Sequence, residues 1–193
     1  MNRKNAPCLT AAEQALLDEV VVRLIEPDER ARFDQWLVAE PYLHRAELVG
    51  EQLRYVAEVH GQWVALLAWS APAFHLKDRE RWIGWTGAQK RRRLALAVNN
   101  TRFLILPATR QPNLASRVMK LCLRRLASDW QQTYGHPVLV AESFVDSQLF
   151  RGTGYQASGW TLLGQTQGYR RAQCQRRPRR RNPSYRSIHR MLL

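Results

Sequence analysis

The residues with the most chemical potential fall into three groups. In the first, Asn99, Asn100 and Arg102 stand just before and inside the central strand, ahead of the short apolar run Phe103-Leu-Ile-Leu106, and Glu142 lies on the neighbouring strand. Polar groups in the middle of a sheet are costly unless they satisfy one another. Two readings stand: a catalytic cleft between neighbouring strands, or an Arg102–Glu142 ion pair with the two Asn side chains closing a turn. Tyr155 adds a hydroxyl, so the candidate catalytic set is Glu142, Tyr155, Asn99, Asn100 and Arg102. No His or Cys joins them at a diagnostic spacing. The second group, Arg110, Asn113 and Ser116, precedes and opens a long helical pattern, with Thr153 further along. A helix N-terminus there suits a phosphate, while simple capping by the Asn113 side chain is the alternative.

The third group is cationic. Lys90, Arg91, Arg92 and Arg93 occupy one basic helix; Arg170, Arg171, Arg176, Arg177, Arg179, Arg180 and Arg181 crowd the C-terminal stretch. Residues 147–193 hold ten Arg and no Asp or Glu, so they supply +10 of the net +14. Neutralising phosphates releases counterions, so DNA or RNA is the expected partner; a solvated tail that only aids solubility is the alternative. Trp82 and Trp85 flank Gly84 in a polar stretch, where they either pack on the fold or stack on a base.

Composition narrows the classes. With 193 residues and 45% hydrophobic content the chain can bury one core. The three cysteines, Cys8, Cys122 and Cys174, are far apart and odd in number, which argues against disulfides; no spacing suggests zinc, and no metal is expected. Residues 1–8 lack an apolar signal core and the longest apolar run, residues 63–69, is too short for a bilayer. The expectation is a prokaryotic cytoplasmic protein without a membrane partner.

Elements must position these groups. Thr10-Ala-Ala-Glu13 is a capping box, followed by apolar residues at helical spacing to Ile25, with Pro27 as the stop. A second helix fits residues 28–39. A hairpin follows: residues 53–59 alternate, His60-Gly61 turns, and residues 62–69 return as a nearly continuous apolar strand. A polar aromatic loop leads to Thr86-Gly-Ala-Gln89, another capping box, and the basic helix. Residues 103–106 form a strand, Asn113 opens a helix to about Tyr134, residues 138–144 form a strand, Asp146 caps a short helix and residues 155–163 form the last strand. Such alternation implies an α/β (α+β) fold, a mixed central sheet flanked by helices, with a basic C-terminal tail. The expected division is one domain over residues 1–164, carrying two N-terminal helices, and an Arg-rich, partly flexible tail over residues 165–193.

This order resembles the GCN5-related N-acetyltransferase fold. In that superfamily Arg/Gln-x-x-Gly-x-Gly/Ala precedes the long helix and its amides hold the pyrophosphate of acetyl-CoA; the matching stretch is Arg110-Gln-Pro-Asn113-Leu-Ala115, with Asn113 in place of the middle Gly. The superfamily's Tyr-x-x-x-Gly-Phe matches Phe150-Arg-Gly-Thr-Gly154-Tyr155, which lacks the Tyr that often protonates the leaving thiolate. Both departures disfavour acetyl-CoA, and no cofactor is required. Trp82-Ile-Gly-Trp85, Asn99-Asn-Thr-Arg-Phe-Leu-Ile-Leu-Pro107, Asn113-Leu-Ala-Ser116, Asp129-Trp130, Glu142-Ser-Phe-Val-Asp146 and Gly152-Thr-Gly-Tyr155 resemble the DruA family, which includes a component of Druantia anti-phage systems and transposase-associated proteins. The resemblance implies a role in defence or mobile DNA, with other defence proteins such as a helicase as further partners. An acyltransferase with a substitute general acid (Glu142 or Tyr155) and an inactive transposon remnant are the alternatives.

Overall fold

The computed structural model describes residues 9–40, 48–165 and 185–191. Helix α1, Ala11–Asp18, begins at the Thr10–Glu13 capping box, with Thr10 Oγ1 accepting from the Glu13 amide at 3.2 Å. It ends well short of Ile25, because the following valines do something else: Val21–Leu24 is an edge strand, β1. Val20 and Val22 are buried while Val21 is exposed, the period-2 pattern of a strand. β-Branched residues lose little in an extended chain, and pairing with the next strand fixes that choice. The long N-terminal helix expected from periodicity is thus a helix and a strand. Helix α2, Arg30–Ala39, follows and turns Phe33 and Leu37 fully inward.

Strands β2, Gln52–Val59, and β3, Gln62–Ser70, form the expected hairpin. His60 and Gly61 both have positive φ, 51° and 73°, the turn geometry whose twist matches paired strands. The aromatic loop contains a short helix, α3, Lys77–Ile83, ended by Gly84 in the left-handed region at φ 79°. Helix α4, Gly87–Arg93, starts at the Thr86–Gln89 capping box. Strand β4, Ala97–Ile105, begins earlier than the apolar run suggests and includes Asn99, Asn100 and Arg102. Helix α5, Leu114–Tyr134, carries the chain to β5, Val140–Asp146.

After β5 the expected order is corrected. Asp146 closes a turn by accepting from the Gln148 amide at 2.9 Å, and the short helix α6 is Thr153–Ala157, so Tyr155 is helical. Strand β6 is Thr161–Gln165. A seventh strand, β7, Tyr185–Met191, inserts between β5 and β6, antiparallel to both. The end of the expected tail therefore belongs to the sheet.

The sheet order is β1-β2-β3-β4-β5-β7-β6, and β4–β5 is its parallel pair. A parallel neighbour needs a long crossover, which α5 supplies. One face packs Tyr55, Leu67, Trp69 and Val98 against Leu114, Val118, Met119, Cys122, Leu126 and Trp130 of α5. Burying such side chains stabilises the fold by roughly 1.5–3 kcal/mol each. The other face packs Val56, Leu66 and Leu104 against Phe33 and Leu37 of α2.

Candidate functional site

The parallel strands part. β4 and β5 pair from Ala97–Val140 to Asn100–Ser143, beyond which β4 runs on to Ile105 and β5 to Asp146 without further pairing to each other. A register shift against β3 falls at the same level: Trp69 faces Asn100 and Ala68 faces Arg102, leaving Thr101 as an extra residue. Asn100 closes this bulge, its Nδ2 donating to the carbonyls of Ala68 (3.3 Å) and Arg102 (3.1 Å).

The rest of Asn100 faces the split. Its Oδ1 accepts from the Tyr155 hydroxyl at 2.6 Å, and Ser143 Oγ lies 3.0 Å from the Asn100 carbonyl and 3.2 Å from the Tyr155 hydroxyl. Asn100 and Ser143 are buried, so each bond forms where water competes weakly. Helix α6 brings Tyr155 here, with Phe103 and Trp160 edge-on to its ring at centroid separations of 5.9 and 5.1 Å. Gly154 lies close to α5: a Cβ there would sit 3.3 Å from the Ala115 Cβ, a tight contact between α6 and α5. Two of the sequence candidates, Asn100 and Tyr155, thus meet.

Glu142 does not join them. Alternation along β5 turns it to the opposite face, where it is fully buried. Its Oε2 accepts from Arg79 Nη1 at 2.7 Å and its Oε1 from the Ala73 amide at 2.7 Å. Arg79, also fully buried, donates to the Ala73 carbonyl at 2.8 Å as well. Among the described residues Glu142 pairs with the guanidinium of Arg79, which corrects the reading that pairs it with Arg102. Arg102 donates to the Thr101 carbonyl at 2.8 Å, and burial lowers its pKa. Asn99 pairs in backbone register with Glu142 and Ser70, and its Oδ1 is buried without a hydrogen-bond partner.

Lys90 is a second correction. The chain turns it inward, where it is buried and bonded to Glu80 at 3.1 Å and His75 Nδ1 at 3.2 Å. Burial acts against the Glu80 charge, but Lys90 and the Leu76 amide outweigh it and hold its pKa below the usual carboxylate value. Lys90 is therefore a clamp between α3 and α4 and is not presented to a phosphate. Arg91, Arg92 and Arg93 are exposed on α4. Arg170, Arg171, Arg176, Arg177, Arg179, Arg180 and Arg181 lie outside the described residues.

At the start of α5, Asn113 occupies the N-cap position with φ 64°, and its side chain makes no capping bond, contrary to simple capping. The left-handed region favours Gly and tolerates Asn, so Asn113 keeps a glycine-like turn. Ser116 Oγ donates back to the Asn113 carbonyl at 2.9 Å, and Arg110 is exposed beside this turn. Thr153 is exposed at the first position of α6. Cys122 is fully buried on the inner face of α5, and burial pushes its thiol up to about 12, so it is not a thiolate nucleophile.

Sequence reasoning misses Arg79 and Ser143. Arg79 lies in a stretch whose composition reads as a loop, and Ser143 sits inconspicuously inside the Glu142-to-Asp146 run. An Arg three residues after Leu76, at the spacing of one inward helix face, is the signal that could have found it.

The fold and the split can be compared with known proteins. A family model for Druantia protein DruA matches residues 4–175. The chain belongs to the DruA family. This membership marks it as a Druantia anti-phage defence component. No curated protein sequence matches the chain. Among solved structures it resembles an acetyltransferase of the GNAT family from Streptococcus pneumoniae (12% identity, 90% of this chain and 99% of that one, TM-score 0.54). It also resembles spermidine/spermine N-acetyltransferase SpeG from Vibrio cholerae (11% identity, 92% and 95%, TM-score 0.56). A third match is AAC(6')-Ib in complex with paromomycin and acetyl-CoA (10% identity, 90% and 94%, TM-score 0.57). At these identities the likeness establishes the fold of this DruA-family chain: an acetyltransferase-like α/β sheet flanked by helices. No described helix is long and apolar enough to cross a membrane.

Proposed function

We propose that this DruA-family protein is a nucleic-acid-binding component of prokaryotic anti-phage defence, holding the phosphate backbone of DNA or RNA in the cytoplasm. The observation that carries the reading is the exposed Arg91-Arg92-Arg93 run on α4, in a chain with a further acid-free stretch of ten Arg. Guanidinium groups bind phosphate bidentately and always carry charge. Several of them on one surface release counterions on binding, so affinity falls steeply with salt. The basic C-terminal stretch supplies a second contact, and a defence partner such as a helicase would act on the same nucleic acid.

The test is a mobility shift with DNA and with RNA over a salt series. Binding should weaken along a straight line in log–log coordinates, and Arg91→Glu/Arg92→Glu/Arg93→Glu should reduce its slope by about one for each phosphate no longer neutralised. No shift at low salt with either polymer refutes the reading.

A second reading, acyl transfer from acetyl-CoA, is favoured by one observation: Asn113 preserves the backbone turn where the superfamily has Gly. The residues fit the cofactor in part. The turn from Arg110 to Ser116 would hold its pyrophosphate, and the Tyr155 hydroxyl, in the split, would hold the proton that Phe150 cannot carry. Acetyl-CoA supplies an activated acyl group when bound. Isothermal calorimetry decides: no heat with acetyl-CoA removes this reading and leaves the first intact.

A further inference from the structure

A cavity lies at one end of the sheet, on the β3 side of β4 and so away from the split, which is on the β5 side. The chain builds it by folding back. Leu106 N–H donates to the Val64 carbonyl at 2.9 Å, and the single turn that follows, Pro107–Thr109, is tied down by Thr109. Its Oγ1 donates to the carbonyls of Val64 and Leu106, each at 3.0 Å. This turn, the β2–β3 hairpin and Leu16 of α1 border a half-open space of about 360 Å³, within the size range of small-molecule sites.

The lining divides by chemistry. Leu16, Val59, Val64 and Ala108 supply its apolar part; Gln62, Arg110 and Gln111 supply polar groups. His60 also lines it, but its Nε2 lies 2.7 Å from Glu19 Oε2, so that imidazole and that carboxylate are engaged with each other. Among the described residues no carboxylate pairs with Arg110, which is exposed and is the open cation of the lining. Gln111 Nε2 is buried and has no hydrogen-bond partner. A buried donor without an acceptor is costly, and a bound molecule that brings an acceptor to this point removes the cost.

We propose that this cavity binds a nucleoside phosphate, with the phosphate on Arg110, the base edge on Gln62 and Gln111, and the base face against the apolar lining. A guanidinium takes phosphate oxygens in a bidentate fork. A carboxamide offers a donor and an acceptor side by side, which matches the paired groups along a base edge. A fatty carboxylate would satisfy Arg110 and the apolar lining but leave Gln111 Nε2 unmet. The site uses none of Arg91, Arg92 and Arg93, so it does not depend on the nucleic-acid reading above. Its ligand is either a free nucleotide or the 5′-terminal unit of a strand, which share this chemistry.

The experiment is isothermal titration calorimetry on the full chain with AMP, adenosine, inorganic phosphate and hexanoate. AMP should bind roughly tenfold or more tightly than each of the others. Arg110→Ala should weaken AMP binding roughly 10- to 100-fold, the loss for hydrogen bonds to a charged group, and Gln111→Ala roughly 2- to 10-fold. Ala108→Trp, at an exposed position, should abolish AMP binding by filling the space. Urea midpoints equal to that of the parent show that the variants are folded. Absence of AMP binding overturns the proposal, and so does AMP binding no tighter than that of phosphate or hexanoate. AMP affinity unchanged in Ala108→Trp and Gln111→Ala also overturns it, because the nucleotide then sits elsewhere. Displacement of AMP by a 5′-phosphorylated dinucleotide, and not by its unphosphorylated form, supports the site and assigns it to a strand end. AMP binding that neither dinucleotide displaces supports the site and assigns it to a free nucleotide; equal displacement by both overturns it. AMP binding without any mobility shift at low salt refutes the nucleic-acid reading and leaves this site standing.

Discussion

Replacing Glu142 by Gln tests whether this carboxylate is structural or chemical. The substitution keeps the shape and an oxygen to accept from the Ala73 amide, now 2.7 Å from Oε1. What it removes is the charge opposite Arg79, at 2.7 Å in a fully buried pair. Arg79 then retains the Ala73 carbonyl and a contact to Glu80 at 3.5 Å, while its Nε already has no hydrogen-bond partner. A buried charge deprived of its partner costs about 3–5 kcal/mol. With a urea slope of about 2 kcal/mol per molar, the unfolding midpoint should fall by roughly 1.5–2.5 M, followed by tryptophan fluorescence and circular dichroism together. Arg79→Met/Glu142→Gln should cost much less than the sum of the single changes, since the stranded charge is gone. A Glu142→Gln midpoint within ~0.3 M of the parent, or strict additivity in the double variant, would refute the reasoning and return Glu142 to the acid/base candidates.

Three further outcomes are expected. Tyr155→Phe removes the hydroxyl that links Asn100 Oδ1 to Ser143, leaving a buried acceptor unmet at a cost of about 1–2 kcal/mol; an unchanged thermal midpoint would contradict this. Asn113→Gly should be neutral or stabilising and Asn113→Ala destabilising by about 1 kcal/mol, because the position has φ 64° and no capping bond is given up; differential scanning calorimetry reads both. The hydrogen bond from Arg23 is the main force holding Glu29 at about 2 instead of 4.5. The unfolded chain therefore takes up this proton at higher pH than the folded one, so the Glu29 contribution is present above pH 4.5 and lost as pH falls towards 2. Glu29→Gln should flatten the urea midpoint across that window, and a profile identical to the parent's would exclude the assignment.

Local chemistry and pattern determined a good deal by themselves. The capping boxes at Thr10 and Thr86, the hairpin around His60-Gly61 and the long amphipathic helix were all legible, because each depends on neighbours within a turn or on a period of 2 or 3.6. Tertiary structure decided the rest. Val20 to Leu24 has apolar residues at helical spacing, and pairing with β2 makes Val21–Leu24 a strand instead. The strand at residues 185–191 follows a run so rich in Arg that composition hid it, and its place between β5 and β6 comes from partners far away in the chain. The same holds for the candidate site. The sequence contained Asn100, Tyr155 and Glu142, but strand alternation and the placement of α6 put the first two together and sent Glu142 to Arg79 on the other face. Which polar groups meet in a sheet depends on register, and register is a property of strands paired across the whole fold.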